Sequence, residues 1–189
     1  CAGEFNSGGR SIHNNKERIY SCLVVRKDGR KSIERLNFVK GIGYQLDRVL
    51  SAETKKDITE EIQLAIYGQY ILEQSWIRPS AELEDEFADK GQLQYPYTHS
   101  LIGFTAQGDL MVGALGGNRC DGIGVSIEEA AYFMREKGAR DAILLANGGD
   151  VNLIVNEELT TLSLAGRRGN TYPRINYSTV LAIKISASS

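Results

Sequence analysis

Three polar side chains, those of Asn147, Asp150 and Asn152, lie within six residues where two apolar runs meet, and their types fit a binding or catalytic site. The first run ends at the turn Asn147-Gly148-Gly149-Asp150, and Asn152 follows inside the second run. Glycines permit positive φ angles and close approach of a ligand. Rigid strands that present a polar turn are a common basis for a site. An ordinary Asn-Gly hairpin turn is the alternative explanation.

The first residue, Cys1, points to a second kind of chemistry. A cysteine exposed by self-cleavage is a nucleophile whose own amine can act as the base. A lipid-bearing lipoprotein cysteine and a simple truncation are the alternatives. The other cysteines are Cys22 and Cys120, and three cysteines give no disulfide framework. Cys22 lies in an apolar run, which predicts a core residue, whereas Cys120 in a loop is a weaker candidate nucleophile.

Composition predicts a soluble protein with one domain spanning residues 1–189. Of its residues, 42% are hydrophobic and 24% are charged, and the net charge is −2. Lys and Arg are scattered, which argues against nucleic-acid binding, and no apolar run has the length of a membrane span. The two histidines, His13 and His99, are far apart, so we expect neither a metal site nor a cofactor. The oligomeric state is not determined, nor is the choice between a cytoplasmic and an exported, processed protein.

The elements that would position these residues are mostly strands. We expect paired strands at 18–25 and 31–39 around a turn at 27–30, and a second hairpin from 99–105 and 110–115. Residues 44–51 and 58–70 fit a strand or a helix, and 77–92 reads as a charged loop with a solvated acidic face. Further strands are expected at 142–146, 151–155, 160–165 and 179–186.

The clearest helix begins after Ser126. Ser126 is an N-cap, Glu129 completes a capping box, and Gly138 ends the helix. Its predicted buried stripe consists of Ile127, Ala130, Ala131 and Met134. The fold class is therefore α+β: a single strand-rich domain with a mixed or antiparallel sheet and few helices.

The order of these motifs resembles the phosphodiester glycosidase family. The resemblance rests on Gly-Phe-Thr-x-x-Gly-x-Leu from residue 103, Gly-Val-Ser-Ile-Glu-Glu-Ala-Ala from residue 124, and the glycine-rich turn. It is good over residues 99–155 and looser over 30–95. The start, Cys1-Ala-Gly-Glu-Phe-Asn6, resembles the family's opening motif, and Pro173-Arg174 resembles its closing segment.

The resemblance implies an α+β fold and hydrolysis of a sugar 1-phosphodiester at a site built from three separated segments. In those segments this chain carries different polar groups. Cys1 stands at the opening Asn position, His99 at the position of an Arg, and Asp150 at that of a Ser. Leu144 and Ala146 replace the Asn and Asp of the turn, while Gly148 and Gly149 are kept.

A thiol, an imidazole and a carboxylate in one pocket are the parts of acyl-transfer chemistry. Cys1 would attack a carbonyl, His99 would act as its base, and Asp150 or Asn147 would hold the imidazole tautomer. The N–H groups of Gly148 and Gly149 would form an oxyanion hole. Further substrate-binding candidates are Asn6, Asn152 and Arg174.

Three functions follow. The first is a hydrolase or acyltransferase on a phosphodiester-glycosidase-like fold, with Cys1 freed by autoproteolysis and an amide, peptide or thioester as substrate. The second keeps the family chemistry, with Asp150 and neighbouring polar groups acting on a glycosyl phosphodiester such as an N-acetylglucosamine-1-phosphodiester. The third is a non-catalytic binding module, for instance of a phage tail or cell envelope. Each residue also has an ordinary role: His99 as a surface or capping residue, Asp150 as a turn residue, and Arg174 as a solvated loop residue.

Overall fold

The computed structural model describes residues 19–40, 46–83, 93, 96–115, 124–147, 151, 153–156 and 158–159. Strands dominate this part of the chain, and one α-helix lies among them. The elements are β1 (Ile19–Arg26), β2 (Lys31–Lys40), β3 (Leu46–Ser51), β4 (Ile62–Glu73), β5 (Trp76–Ile77), β6 (His99–Thr105), β7 (Leu110–Leu115), α1 (Ile127–Glu136), β8 (Ala139–Asn147), β9 (Ile154–Val155) and β10 (Glu158–Leu159).

One large sheet organises the described residues. Its strands follow the order β3-β2-β1-β4-β8-β6-β7, and the short β5 pairs with β4. Every pairing in this sheet is antiparallel. The prediction of a strand-rich domain with few helices is thereby confirmed for the described residues. Of the two predicted sheet types, mixed or antiparallel, the sheet is antiparallel, and the α+β label fits approximately.

Strand β8 runs between β4 and β6, at the heart of the sheet. Ala142, Ile143 and Leu144 have at most 1% of their surface exposed. A continuous apolar run is typical of a strand that is buried on both faces. The side chains alternate between the faces, so Leu144 joins one apolar cluster and Ile143 joins another.

The helix α1 covers one face of this sheet through its predicted stripe. Ile127, Ala130, Ala131 and Met134 are all buried, and they pack in one cluster with Leu144 and other sheet residues. We call this cluster the helix-side core. The predicted capping box is present: Ser126 Oγ accepts from the Glu129 N–H at 3.2 Å, and Glu129 Oε2 accepts from the Ser126 N–H at 2.7 Å.

Two further clusters complete the described core. One lies on the face of the sheet that also carries the helix-side core, and it extends from β4 over β1 to β2 and β3. We call it the β1–β3 core, and it contains Cys22, Val24, Leu36, Val49, Ile58 and Ala65. Cys22 has no exposed surface, as predicted for a core residue. The other lies on the opposite face and contains Leu23, Ile66, Tyr70, Ile102, Phe104 and Ile143.

The two segments of mixed pattern both form strands. Residues 44–51 contain β3, and residues 58–70 contain a short 3₁₀ turn, Thr59–Glu61, followed by β4. Sheet pairing decides this outcome, since β4 is hydrogen-bonded on both edges, to β1 and to β8. Within the predicted charged loop at 77–92, the described part holds a 3₁₀ turn, Ser80–Glu82, and a fully buried Leu83.

The second apolar run does not pair with β8. The prediction of a strand over 151–155 is only partly right, because the strand there is Ile154–Val155 and it pairs with β10. The pairs of β8 are with β4 over residues 142–144 and with β6 over residues 139–147, and none involves Ile154–Val155. An ordinary hairpin between the two apolar runs is therefore wrong. The strands expected at 160–165 and 179–186 lie outside the described residues.

Candidate functional site

His99 is the predicted site residue that the structure describes in full. It is the first residue of β6, and its side chain is completely buried. Because Leu101 belongs to the helix-side core and lies two residues further along the strand, His99 lies on the same face of the sheet. The surface or capping role considered for this residue is wrong.

A β-bulge in β8 brings Asn147 into register with His99. Leu101 pairs with Leu144, whereas Ser100 pairs with Ala146, so Leu145 is the extra residue. Without the extra residue, Ala146 would lie opposite His99. Bulges next to active sites commonly re-aim a strand end in this way. Two residues that the sequence assigned to one site are therefore direct neighbours across strands.

The imidazole of His99 is held by a backbone carbonyl. Its Nε2 lies 2.9 Å from the Val125 oxygen. A carbonyl oxygen can only accept, so Nε2 carries the hydrogen and donates it. Val125 is itself fixed to Tyr97 by a pair of backbone hydrogen bonds, of 3.0 and 3.1 Å. This loop precedes the N-cap of α1, so the helix start and the histidine are coupled.

Burial sets the charge of this histidine. Desolvation lowers the pKa of His99 below its ordinary value of 6.5, and the hydrogen bond to Val125 opposes that effect only in part. The ring is therefore neutral near neutral pH. In that tautomer Nδ1 carries a lone pair, and it has no hydrogen-bond partner. A buried acceptor without a partner is costly, and such groups are commonly retained for function.

Gln69 is a second buried polar residue on this face, and sequence reasoning missed it. Its side chain is 7% exposed, and its Oε1 has no hydrogen-bond partner. Gln69 pairs with Leu144, which pairs with Leu101 on its other side. The available signal was one polar residue inside the apolar run of β4.

The remaining predicted site residues lie outside the described residues: Cys1, Asn6, Gly148, Gly149, Asp150, Asn152 and Arg174. The backbone of Asn147 is described through its pairing with His99. The roles of these residues therefore stay predictions. The Val125 carbonyl, which fixes the His99 tautomer, was not foreseen, because a main-chain group leaves no mark in a sequence pattern.

A cavity of about 580 Å³ lies elsewhere, around β1, β2 and the turn after β3. Arg26 lines it and donates to Glu34 at 2.8 and 2.9 Å and to Glu61 at 2.5 Å. Its guanidinium is thus occupied by two carboxylates, as in a structural ion-pair network. His99 does not line this cavity.

The described residues contain neither a candidate metal site nor a candidate membrane-spanning helix. They hold no group of three His, Cys, Asp or Glu side chains arranged for a metal ion. Among them, no helix has both the length and the apolar character that crossing a bilayer requires.

Comparison with known proteins agrees with this architecture. A family model described as phosphodiester glycosidase matches residues 1–182. Comparison with curated proteins finds no match.

Two solved structures show the extent of the likeness. The zebrafish N-acetylglucosamine-1-phosphodiester alpha-N-acetylglucosaminidase catalytic domain, auto-inhibited by its pro-peptide, is similar with a TM-score of 0.58 and 18% identity. The match covers 82% of this chain and 49% of that one, so this chain spans about half its length. A hypothetical protein from Synechocystis gives a TM-score of 0.43 at 14% identity, with coverage of 75% and 39%. At 18% identity the likeness to the zebrafish domain concerns the fold alone.

Proposed function

The chain belongs to the phosphodiester glycosidase family, and on this basis we propose that it is a hydrolase that cleaves a glycosyl phosphodiester. In this reaction water adds to the anomeric carbon, the bond from that carbon to the phosphodiester oxygen breaks, and a phosphate monoester leaves. The similar zebrafish enzyme is named for an N-acetylglucosamine-1-phosphodiester. That sugar phosphodiester is therefore the first substrate to test.

The observation that carries a chemical role for the site is the state of His99. The ring is neutral because burial lowers its pKa, Nε2 donates to Val125, and Nδ1 has no partner. A fixed tautomer with one available lone pair is what a general base requires. In the proposed reaction Nδ1 accepts the proton of the attacking water.

Replacement of His99 by Gln tests this role. The Gln amide keeps an N–H donor for the Val125 carbonyl but has no basic nitrogen. We expect His99→Gln to fold and to release N-acetylglucosamine from its 1-phosphodiester about 100-fold more slowly or worse. His13→Gln, which changes the other histidine of the chain, is the control. Undiminished turnover by His99→Gln would show that the imidazole is not the base.

A second candidate is acyl transfer with Cys1 as the nucleophile. Its support is the position of Cys1 in the opening motif and the same unpartnered Nδ1 of His99. The thiol would give its proton to Nδ1, and the thiolate would attack an amide, peptide or thioester carbonyl. The proton would then pass to the leaving group, and water would release the acyl group. Since Nε2–H donates to Val125 and Nδ1 takes the thiol proton, Asp150 or Asn147 would orient the ring only by sharing the Nε2–H. The N–H groups of Gly148 and Gly149 would bind the oxyanion.

Alkylation of the thiol separates the two candidates. Loss of turnover after alkylation, together with an inactive Cys1→Ala variant, would favour acyl transfer, whereas sugar release that is indifferent to both would favour the glycosidase. Self-cleavage before Cys1 is tested by the intact mass of the expressed gene product. A cut in the parent that is absent in Cys1→Ala is the expected result for autoproteolysis.

A non-catalytic binding module remains the third candidate, and the full burial of His99 favours it. Because the ring has no exposed surface, substrate can meet Nδ1 only if neighbouring groups move. Specific sugar binding without turnover of any of these substrates is the outcome that this candidate predicts.

A further inference from the structure

We infer that Gln69 is a substrate-contacting residue that binds a hydroxyl or amide N–H of a sugar, and this inference rests on the proposed glycosidase function. The starting point is its burial without a partner. Its side chain is 7% exposed, and its Oε1 accepts no hydrogen bond. Burying an amide without hydrogen bonds is unfavourable, and a leucine would fit an apolar strand better.

Gln69 lies on β4 between the helix-side core and the β1–β3 core. Residues two apart on a strand share a face. On one side Tyr67 packs against the β1–β3 core, and on the other Ile71 belongs to the helix-side core. The amide side chain of Gln69 therefore lies where the two apolar clusters meet.

Gln69 and His99 lie on one face of the sheet. Gln69 pairs with Leu144, Leu144 pairs with Leu101, and His99 is two residues from Leu101. Two strand spacings of about 4.8 Å and one two-residue step of about 6.8 Å place the two Cα atoms about 12 Å apart. Both side chains extend from that face, and because both are buried, one sugar can reach the two acceptors only when the groups that cover them move.

The chemistry of the two unpartnered atoms selects the ligand. Gln69 Oε1 and the neutral His99 Nδ1 are both acceptors, so a ligand that satisfies both must bring donors. A sugar supplies several O–H groups, and an acetamido sugar adds an N–H. The phosphodiester group, a monoanion, supplies none. The pair therefore fits the sugar half of a glycosyl phosphodiester rather than its phosphate.

The test is binding of N-acetylglucosamine, followed by NMR titration, to the parent protein, Gln69→Leu and the control Gln63→Leu. Gln63 is an exposed residue of the same strand. Gln69→Leu is expected to fold, since it removes a buried amide oxygen that has no partner. We expect it to bind the sugar about 10- to 100-fold more weakly, while Gln63→Leu binds like the parent.

Monodeoxy analogues of the sugar give the second readout. One deoxygenation should weaken binding to the parent but make no further difference in Gln69→Leu, because the same hydrogen bond is removed from either side. Equal binding by the parent and Gln69→Leu, or strictly additive losses, would overturn the role of Gln69 and leave the hydrolase proposal standing. Absence of sugar binding by the parent would also overturn the role of Gln69. The turnover assay with the sugar phosphodiester would then test the hydrolase proposal separately.

Discussion

Gly124 is expected to position the carbonyl that holds His99, and its replacement by Ala tests this coupling. Gly124 has φ +93° and precedes Val125, whose oxygen accepts from His99 Nε2. A Cβ at this residue would lie 2.8 Å from the backbone N, C and O of Tyr97. Those atoms belong to the Tyr97–Val125 bridge, so they cannot move aside without disturbing the carbonyl.

The expected cost has two parts, and Gly108→Ala separates them. Gly108 has φ +89° but would place its Cβ in open space. Positive φ costs a non-glycine residue about 1–2 kcal/mol, which both variants share. The backbone contact adds about 1–3 kcal/mol in Gly124→Ala alone. In a domain of this size each kcal/mol lowers Tm by roughly 2–4 °C.

Urea unfolding of both variants measures the difference, and ¹⁵N NMR of the imidazole reports the site. The parent should show a protonated Nε2 and an unprotonated Nδ1, and Gly124→Ala should disturb this pattern whereas Gly108→Ala should not. Equal stability losses in the two variants, or an unchanged His99 spectrum in Gly124→Ala, would refute the coupling.

Three further outcomes are expected. Gly68→Ala, whose Cβ would lie 2.5 Å from the Leu144 carbonyl oxygen, should lower the free energy of unfolding by about 1–3 kcal/mol in urea titrations. Gly113→Ala should cost less than about 1 kcal/mol, because its nearest neighbour is the flexible Met134 sulfur at 3.3 Å and the Leu101 side chain lies at ordinary contact distance. Ser126→Ala should cost about 1 kcal/mol through loss of the capping box, measured as a shift of the thermal midpoint. The pKa of His99 is lowered by folding, so the unfolded chain takes up its proton first as pH falls below about 6.5. The parent should therefore lose stability between pH 7.5 and 5.5 more steeply than His99→Gln does, and parallel urea midpoints would contradict this.

Several elements could be predicted because local rules decide them. The hairpin of β6 and β7 matches its predicted bounds, 99–105 and 110–115, since two short apolar runs flank a glycine turn. The capping box and buried stripe of α1 are equally local. The segments 44–51 and 58–70, which contain β3 and most of β4, fit a helix as well as a strand by their apolar residues. They form strands because they pair within the sheet.

The site divides along the same line. The sequence by itself identified His99, Asn147 and the family to which the chain belongs, because residue types at motif positions can be recognised without knowing which residues are in contact. The tertiary structure decided that the two residues pair, that Val125 fixes the imidazole, and that Gln69 lies on the same face. Each of these depends on a bulge, a main-chain carbonyl or a register between strands distant in the chain. Such features arise only when the sheet assembles, since no local pattern encodes which strand will lie beside which.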